Sequence, residues 1–212
     1  MKIKTVLFSV SLVLLGSLGT LALTSFSSQE QGSRPSVPRP SPEEMKKIME
    51  AYMKAAVPGP EHKKLAEGAG EWVWETKTYM GPGSPATKTS MKVHSRMLLG
   101  GRFLMEEVEG KLMGQVFQGI SITGYDKVRK GYQNLWMDSM GTMMTYSFGK
   151  EKVKGEIHFS GTMVDPMTPK GRPFRSVLRH RGKDSHSFEL YDSLPGTKQE
   201  FLVMSVSAKR VK

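Results

Sequence analysis

The chain has 212 residues, and its 31 Lys and Arg residues outnumber its 20 Asp and Glu residues, which gives a formal net charge of +11. A chain of this length holds one domain with short extensions. Because it contains no Cys, disulfides, thiol nucleophiles, iron–sulfur clusters and cysteine-based zinc sites are excluded. The positive charge favours acidic partners such as lipid headgroups or anionic polysaccharide.

Residues 1–27 have the composition of a targeting segment. Lys2 and Lys4 precede an apolar stretch from Val6 to Leu23, and small residues follow it. This order predicts a signal peptide. The alternative is an uncleaved N-terminal anchor, because the stretch is about as long as a membrane span. Both interpretations predict an exported protein, periplasmic or extracellular, that stays tethered to the membrane if the segment is retained. Nucleic acid is therefore not an expected partner.

Residues 28–40 are rich in Pro and Ser, which is typical of a linker. Residues 41–69 are predicted to form a helical extension, since Ser41-Pro42-Glu43-Glu44 is a strong helix start. One face of this helix carries Met45, Ile48, Met49, Tyr52 and Met53. We expect that face to pack on the barrel exterior or across one of its mouths, with a partner-binding helix as the alternative. A second short helix is predicted over residues 61–67.

Turn signals rich in Gly, Pro and Asp divide residues 70–212 into about ten strand-like segments. The predicted strands are Glu71–Met80, Thr87–Leu98, Arg102–Lys111, Val116–Tyr125, Tyr132–Ser139, Thr142–Phe148, Val153–Met163, Pro173–Arg181, Ser185–Asp192 and Lys198–Val211. Short connections join neighbours, so the predicted fold class is all-β, an up-and-down antiparallel β-barrel preceded by a short N-terminal helix. A barrel of this size can enclose one small ligand.

Several motifs carry a family resemblance. They are, in order, Pro58-Gly59-Pro60-Glu61-His62, Gly70-Glu71-Trp72, Gly100-Gly101-Arg102-Phe103-Leu104, Phe117-Gln118-Gly119, Gly124-Tyr125-Asp126 and Trp136-Met137-Asp138-Ser139-Met140-Gly141-Thr142. Together they resemble the bacterial domain-of-unknown-function family 1579 over roughly Ala51 to Lys209. That family is calycin-like, a relative in shape of lipocalins and nitrobindins, and it has no agreed activity. The resemblance therefore implies a fold and leaves the function open.

The resemblance also implies one structural pair. In lipocalin-like barrels a Gly-x-Trp begins the first strand, and a basic side chain from the last strand covers the indole. Trp72 and Arg210 lie at the corresponding positions of this chain. A guanidinium over an indole contributes about 0.5–2 kcal/mol. We assign this pair to stability and not to a site.

Alternation along the strands places Trp136 and Asp138 on one face and Ser139 on the other. Asp138 and Ser139 therefore cannot act together as base and nucleophile, and no Gly-x-Ser-x-Gly elbow is present. We expect one of them to bind turn amides, with a polar contact at the pocket mouth as the alternative.

Arg102 and Tyr125 are further candidate ligand contacts. An Arg can grip a carboxylate or phosphate through two hydrogen bonds. It can equally form an internal ion pair with Asp126 or Asp138, and we favour that pair because an unpaired buried Arg is very costly.

His180 and His186 are predicted to lie opposite each other, because matching the apolar faces of their two strands fixes the register. Two inward imidazoles, joined by His94 or His158, would be able to hold haem iron or another metal. Nitrobindin-like barrels use a strand histidine in this way. No haem-binding motif is present, so we expect no cofactor and keep a haem- or metal-binding barrel as the alternative function.

Two other features have ordinary and functional interpretations. Arg175, Arg179 and Arg181 share the outer face of their strand and form a basic stripe suited to an anionic envelope surface. We favour a solvated face that pairs with Glu189.

The methionines around Met140 suit Cu(I), but flexible packing is the ordinary role of Met.

These observations favour a binding protein over an enzyme. We expect the barrel interior to bind a small, mainly apolar ligand, with Arg102, Tyr125, Trp136, Asp138, His180 and His186 as candidate polar contacts. The opposing hypothesis is a structural protein whose solid barrel docks on an envelope component.

Overall fold

The computed structural model describes residues 39–211, and the predicted signal segment and most of the predicted linker lie outside that range. The helices are α1 (Pro42–Ala56) and α2 (Pro60–Ala66). The strands are β1 (Gly70–Thr78), β2 (Thr87–Leu98), β3 (Phe103–Leu112), β4 (Gln115–Asp126), β5 (Gly131–Asp138), β6 (Thr145–Val153), β7 (Glu156–Asp165), β8 (Thr168–His180), β9 (Ser185–Ser193) and β10 (Glu200–Arg210). Neither of the helices in this range is long and apolar enough to cross a membrane.

The strands form one closed barrel. Each strand pairs antiparallel with its neighbours along the chain, and β1 pairs with β10 to close the sheet. Because every connection joins adjacent strands, the topology is an up-and-down meander. The predicted all-β barrel of about ten strands is confirmed.

Three strands begin three or more residues from their predicted starts, and one of them is β7, which begins at Glu156 instead of Val153. β6 begins at Thr145, because residues 139–144 form the loop after β5. β8 begins at Thr168, five residues before the predicted start at Pro173. The Asp165 carboxylate accepts hydrogen bonds from the amides of Met167 and Thr168. This Asx-type turn brings β7 and β8 together immediately, so β8 is longer than predicted.

Side chains alternate between the interior and the outer surface, as the two-residue period of a strand requires. In β2, for example, Met91, Val93 and Ser95 are buried, whereas Lys92 and His94 are exposed. One core cluster contains Trp72, Met91, Val93, Val108, Phe117 and Ala208. The other contains Leu65, Leu104, Tyr132, Ile157 and Phe159. Because Leu65 belongs to α2, this short helix covers one end of the barrel, which we call the α2 end.

The apolar face of α1 does not pack as expected. Met45, Ile48, Met49, Tyr52 and Met53 are all exposed, and α1 has no buried residue. The helix is instead attached through its last turn. Lys127 donates hydrogen bonds to the carbonyl oxygens of Lys54 and Val57. The expectation that α1 packs its apolar face on the exterior or a mouth of the barrel is therefore wrong for the described residues, because polar contacts to backbone carbonyls hold the helix.

Trp72 and Arg210 meet at the α2 end, as the family resemblance implied. The Arg210 guanidinium carbon lies 4.3 Å from the centroid of the Trp72 ring. The same guanidinium donates to the carbonyl oxygens of Glu67, Ala69 and Lys183 at 2.6, 2.7 and 3.1 Å. Arg210 thus ties the end of α2, the start of β1 and the β8–β9 turn together.

Gly70 leaves room for this arrangement. Its φ of 130° is strained for other residues, and a Cβ there would lie 2.6 Å from Arg210 Nη1. Trp72 Nε1 completes the junction by donating to the Gly68 carbonyl at 2.8 Å.

We predict that Arg210→Ala lowers the free energy of unfolding by about 2–4 kcal/mol, because it removes the contact with the indole and leaves carbonyl groups without a donor. Arg210→Lys should recover only part of this loss, since an ammonium cannot reproduce the planar fork. Urea unfolding measures both.

Arg181→Ala is the matched control, because the Arg181 side chain is exposed and has no partner among the described residues. It should change the free energy of unfolding by less than about 0.5 kcal/mol. Equal effects of the two alanine variants would contradict the structural role of Arg210.

Candidate functional site

The barrel interior has mainly apolar and aromatic walls. All 3 Trp residues of the chain face inward, Trp72 and Trp74 from β1 and Trp136 from β5. Trp136 stacks on Phe117, with ring centroids 6.5 Å apart. Gly119 makes room for this indole, since a Cβ there would lie 2.6 Å from the Trp136 ring.

A polar cluster interrupts these walls in the middle of β3, β4 and β5. In the strand register Glu106 lies opposite Ser121, and Thr123 lies opposite Asn134. The Asn134 side-chain amide donates to the hydroxyl oxygens of Ser121 and Thr123, at 2.8 and 2.9 Å. The Ser121 hydroxyl in turn is hydrogen-bonded to the Glu106 carboxyl group. We call Glu106, Ser121, Thr123 and Asn134 the interior polar cluster.

Burial raises the pKa of Glu106 from 4.5 to about 7, and the hydrogen bond from Ser121 opposes this shift only in part. No cation pairs with this carboxyl group among the described residues. The residue is nevertheless only half-buried. Its side chain points into the barrel, because Glu106 lies opposite the inward residues Ser95 and Ser121 in the register. A carboxyl group without a cationic partner is thus held on the inner face of the sheet.

Three further polar atoms of the interior have no hydrogen-bond partner among the described residues: Trp74 Nε1, Thr89 Oγ1 and Ser95 Oγ. They belong to the inward faces of the adjacent strands β1 and β2. Ser95 is only 2% exposed, and it lies directly opposite Glu106 in the register of β2 and β3. Buried polar groups without a partner are rare, and each needs an explanation. These three atoms therefore mark the part of the inner face where the protein leaves hydrogen-bonding capacity unused.

The opposite wall of the barrel keeps accessible surface on its inner side. Leu190 on β9 lies between Ser176 on β8 and Met204 on β10 in the register. Leu190, Met204 and the neighbouring inward residue Phe188 are half-buried rather than buried. A solid core would bury large apolar side chains in mid-strand, so this pattern indicates unfilled space.

Two concavities on the protein surface do not coincide with this interior. One is lined by Lys77, Lys88 and neighbouring residues of β1, β2 and β10. The other includes Lys92 and Lys111 and extends over β1 to β4. Both open outward and are lined mostly by outward-facing side chains. We therefore place the candidate site inside the barrel, where the unpartnered polar groups are.

Trp136 and Asp138, two of the sequence-predicted contacts, occur together. Trp136 Nε1 donates to Asp138 Oδ2 at 2.7 Å, and Asp138 Oδ1 accepts from the Met140 amide at 2.9 Å. Ser139 lies on the other face, where its hydroxyl accepts from the Gln118 amide at 3.1 Å. Asp138 thus binds a turn amide, as expected, whereas Ser139 binds an amide of β4, and the two side chains do not face each other.

Tyr125 and Arg102 lie at the α2 end, away from the interior polar cluster. Tyr125 packs edge-on against Tyr132, with ring centroids 5.0 Å apart, and burial raises its pKa. Arg102 donates to the carbonyl oxygens of Leu99 and Ala56 at 2.8 and 2.9 Å. The favoured ion pair with an Asp is therefore wrong, because the Arg102 guanidinium donates to one loop carbonyl and to the last carbonyl of α1, and not to a carboxylate.

His180 and His186 are directly opposite each other, as the register argument predicted. The His186 ring lies edge-on to Trp72 and Trp74, with centroid distances of 4.9 and 6.3 Å. Burial, together with the positive charges of His180 and Arg210, lowers the pKa of His186 to about 4.

His94 and His158 do not join this pair. They face outward and contact Glu71 and Glu156 respectively, each at 2.5 Å. Residues 39–211 contain no group of three or more His, Asp or Glu side chains placed to hold a metal ion.

The predicted basic stripe is largely neutralised by ion pairs. Arg175 lies 2.6 Å from Glu200 and stacks on Tyr191, and Arg179 bridges Glu156 and Glu189 at 2.9 and 2.7 Å. Arg181 remains exposed.

A second charged group was not foreseen from the sequence. Arg172 binds Asp192 at 2.7 Å and also pairs with Asp165. The guanidinium holds the pKa of Asp165 at about 2. These partners satisfy one another, unlike Glu106.

Glu106 was not among the residues predicted from the sequence, although its position in β3 carries a signal. Strand alternation puts Leu104, Glu106 and Val108 on the same face of β3, and both apolar neighbours are buried. An acidic residue at a strand position where the alternation predicts an apolar side chain is the signal that identifies Glu106.

We predict that Glu106 makes the protein less stable as the pH rises from about 4.5 to about 7. The Glu106 carboxyl group binds its proton more tightly in the folded state than in the unfolded state. The stability that this proton contributes is fully present below pH 4.5, and it is lost as the pH rises to about 7. As the pH rises across this range, the free energy of unfolding of Glu106→Gln should increase by up to about 3 kcal/mol relative to that of the wild type. Denaturant unfolding at a series of pH values measures the difference.

His186 contributes in the opposite direction, because its lowered pKa makes stability fall as the pH drops from 6.5 to about 4. This contribution is common to both proteins and cancels in the difference between them. A difference that is independent of pH would contradict the raised pKa of Glu106.

The comparisons with known proteins agree with the fold. No curated protein matches the chain. A family model described as "Protein of unknown function (DUF1579)" matches residues 57–210, which include α2 and every strand of the barrel. The match covers well over half of the chain, and the chain therefore belongs to the DUF1579 family.

Proposed function

We propose that this β-barrel binds a small, mainly apolar ligand in its interior. The observation that carries the proposal is the interior polar cluster beside the unpartnered atoms of Trp74, Thr89 and Ser95, all enclosed by apolar and aromatic walls. A ligand pocket typically combines apolar walls with a few polar groups that fix orientation. A barrel with a purely structural role gains nothing from an unpaired buried carboxyl group, since each such group lowers stability.

The end of the barrel opposite α2 is the entrance that suits an apolar ligand. The turns at that end carry exposed methionines, namely Met80, Met113, Met140, Met143, Met144 and Met167. Flexible thioether side chains adapt to ligands of different shape. The α2 end is less accessible, because Leu65 and Arg210 cover it.

The proposal includes export, which rests on the composition of residues 1–27. Cell fractionation and intact-mass measurement of the native protein test it. We expect the protein outside the cytoplasm with a mature N-terminus near residue 28. A full-length protein in the membrane fraction would support the retained anchor, and a full-length cytoplasmic protein would overturn export.

Binding can be tested with Nile red, an uncharged dye whose fluorescence rises in apolar surroundings. We predict saturable fluorescence enhancement with the wild-type barrel. Leu190→Trp should weaken binding by about tenfold or more, because the larger inward side chain fills space between β8 and β10.

Ser187→Trp is the matched control, since Ser187 lies on the same strand and faces outward opposite Arg179. Both variants should keep the far-ultraviolet circular dichroism of the wild type. Equal dye affinity in all three proteins would show that the dye does not occupy the interior, and the proposed function would then be wrong.

A further inference from the structure

We propose that the interior ligand carries a cationic, ammonium-type head group that binds between Glu106 and Ser95. This inference rests on the proposed function and specifies its ligand class. It depends on the placement of Glu106, on the unpartnered oxygen of Ser95 and on the aromatic lining of the barrel.

The charge of the barrel interior favours a cation. Glu106 occupies the middle of β3, whereas the other inward carboxyl groups that the structure describes lie towards strand ends and have partners. Asp138 binds Trp136 Nε1, and Asp192 binds Arg172. Glu106 has only the Ser121 hydroxyl. The chain as a whole is strongly basic, yet the unneutralised charge in the middle of the interior is negative when this group is ionised. An anionic head group would meet repulsion there, and a cation would meet attraction.

Hydrogen-bonding capacity points the same way. Ser95 is the cross-strand neighbour of Glu106, so their side chains start about 5 Å apart on the inner face of the sheet. The Ser95 oxygen can accept a hydrogen bond and has no partner among residues 39–211. A carboxylate and a hydroxyl oxygen are both acceptors, and an ammonium group offers three donors and no acceptor. The two sets of groups are complementary.

The aromatic wall of the barrel also favours a cation. Trp72, Trp74 and Trp136 all face the interior, and indole faces attract cations. The protein already uses this attraction once, because the Arg210 guanidinium lies over Trp72. Ser121, which binds Glu106, lies opposite Trp136 in the register. The carboxyl group therefore has an indole two strands away on the same inner face.

Three ligands with the same alkyl chain test the head group: n-octylamine, n-octanol and n-octanoate. Titration calorimetry at about pH 8, where Glu106 is mainly ionised, measures their affinities for the wild-type protein. We expect n-octylamine to bind about tenfold or more tightly than n-octanol, and n-octanoate to bind most weakly.

Glu106→Gln should remove the advantage of n-octylamine over n-octanol while the affinity for n-octanol changes little. Ser95→Ala should reduce the same advantage in part. Glu107→Gln is the matched control, because Glu107 is the next residue on β3 but faces outward towards Arg96. It should leave all three affinities unchanged.

The outcomes separate this inference from the proposed function. If the three ligands bind equally, or if n-octanoate binds best, the cationic head group is wrong and interior binding stands. Saturable Nile red binding without measurable n-octylamine binding overturns the inference in the same way. If neither Nile red nor any of the three ligands binds, the proposed function itself is wrong.

Discussion

The pairing of β1 with β10 is the contact on which the rest of the structure depends, because it converts a meander of strands into a closed barrel. An open sheet would have two faces in contact with solvent, and its unpaired edges would invite association. Closure gives the sheet one enclosed inner face, and strand alternation then decides which side chains share it. Arg210 reinforces the closure at the α2 end, since it belongs to the last strand but binds the carbonyl oxygens just before the first.

The enclosed face explains why a few polar groups matter so much here. On the outer surface Arg175, Arg179 and their acidic partners satisfy one another, which is ordinary surface chemistry. Inside, a polar atom is removed from bulk solvent, so the loss of a protein partner is costly. A buried polar group without a hydrogen bond costs about 1–3 kcal/mol. Ser95 and Glu106 therefore mark the place where this barrel sacrifices stability, and such places are expected at functional sites.

Strand alternation made much of the architecture predictable. Turn signals located the ten strands. Alternation then placed His180 opposite His186 and put Trp136 and Asp138 on one face. The errors arose where the partner of a side chain is a backbone group or is distant in sequence. Arg102 was expected to form an ion pair with an Asp and instead donates hydrogen bonds to the carbonyl oxygens of Leu99 and Ala56. The apolar face of α1 was expected to be covered and is exposed, because helical periodicity reports a face but not what lies against it.

Local chemistry along the chain was sufficient to determine the strand-and-turn order, the alternation of faces and the pairing of neighbours, since each depends on residues close together in sequence. The tertiary structure alone decided which inward groups lack partners. Glu106, Ser95 and Trp74 come from three different strands, and whether they are satisfied depends on register, tilt and closure together. Whether a buried polar atom finds a hydrogen-bond partner depends on all the strands that surround it. Those strands surround the interior only when β10 pairs with β1.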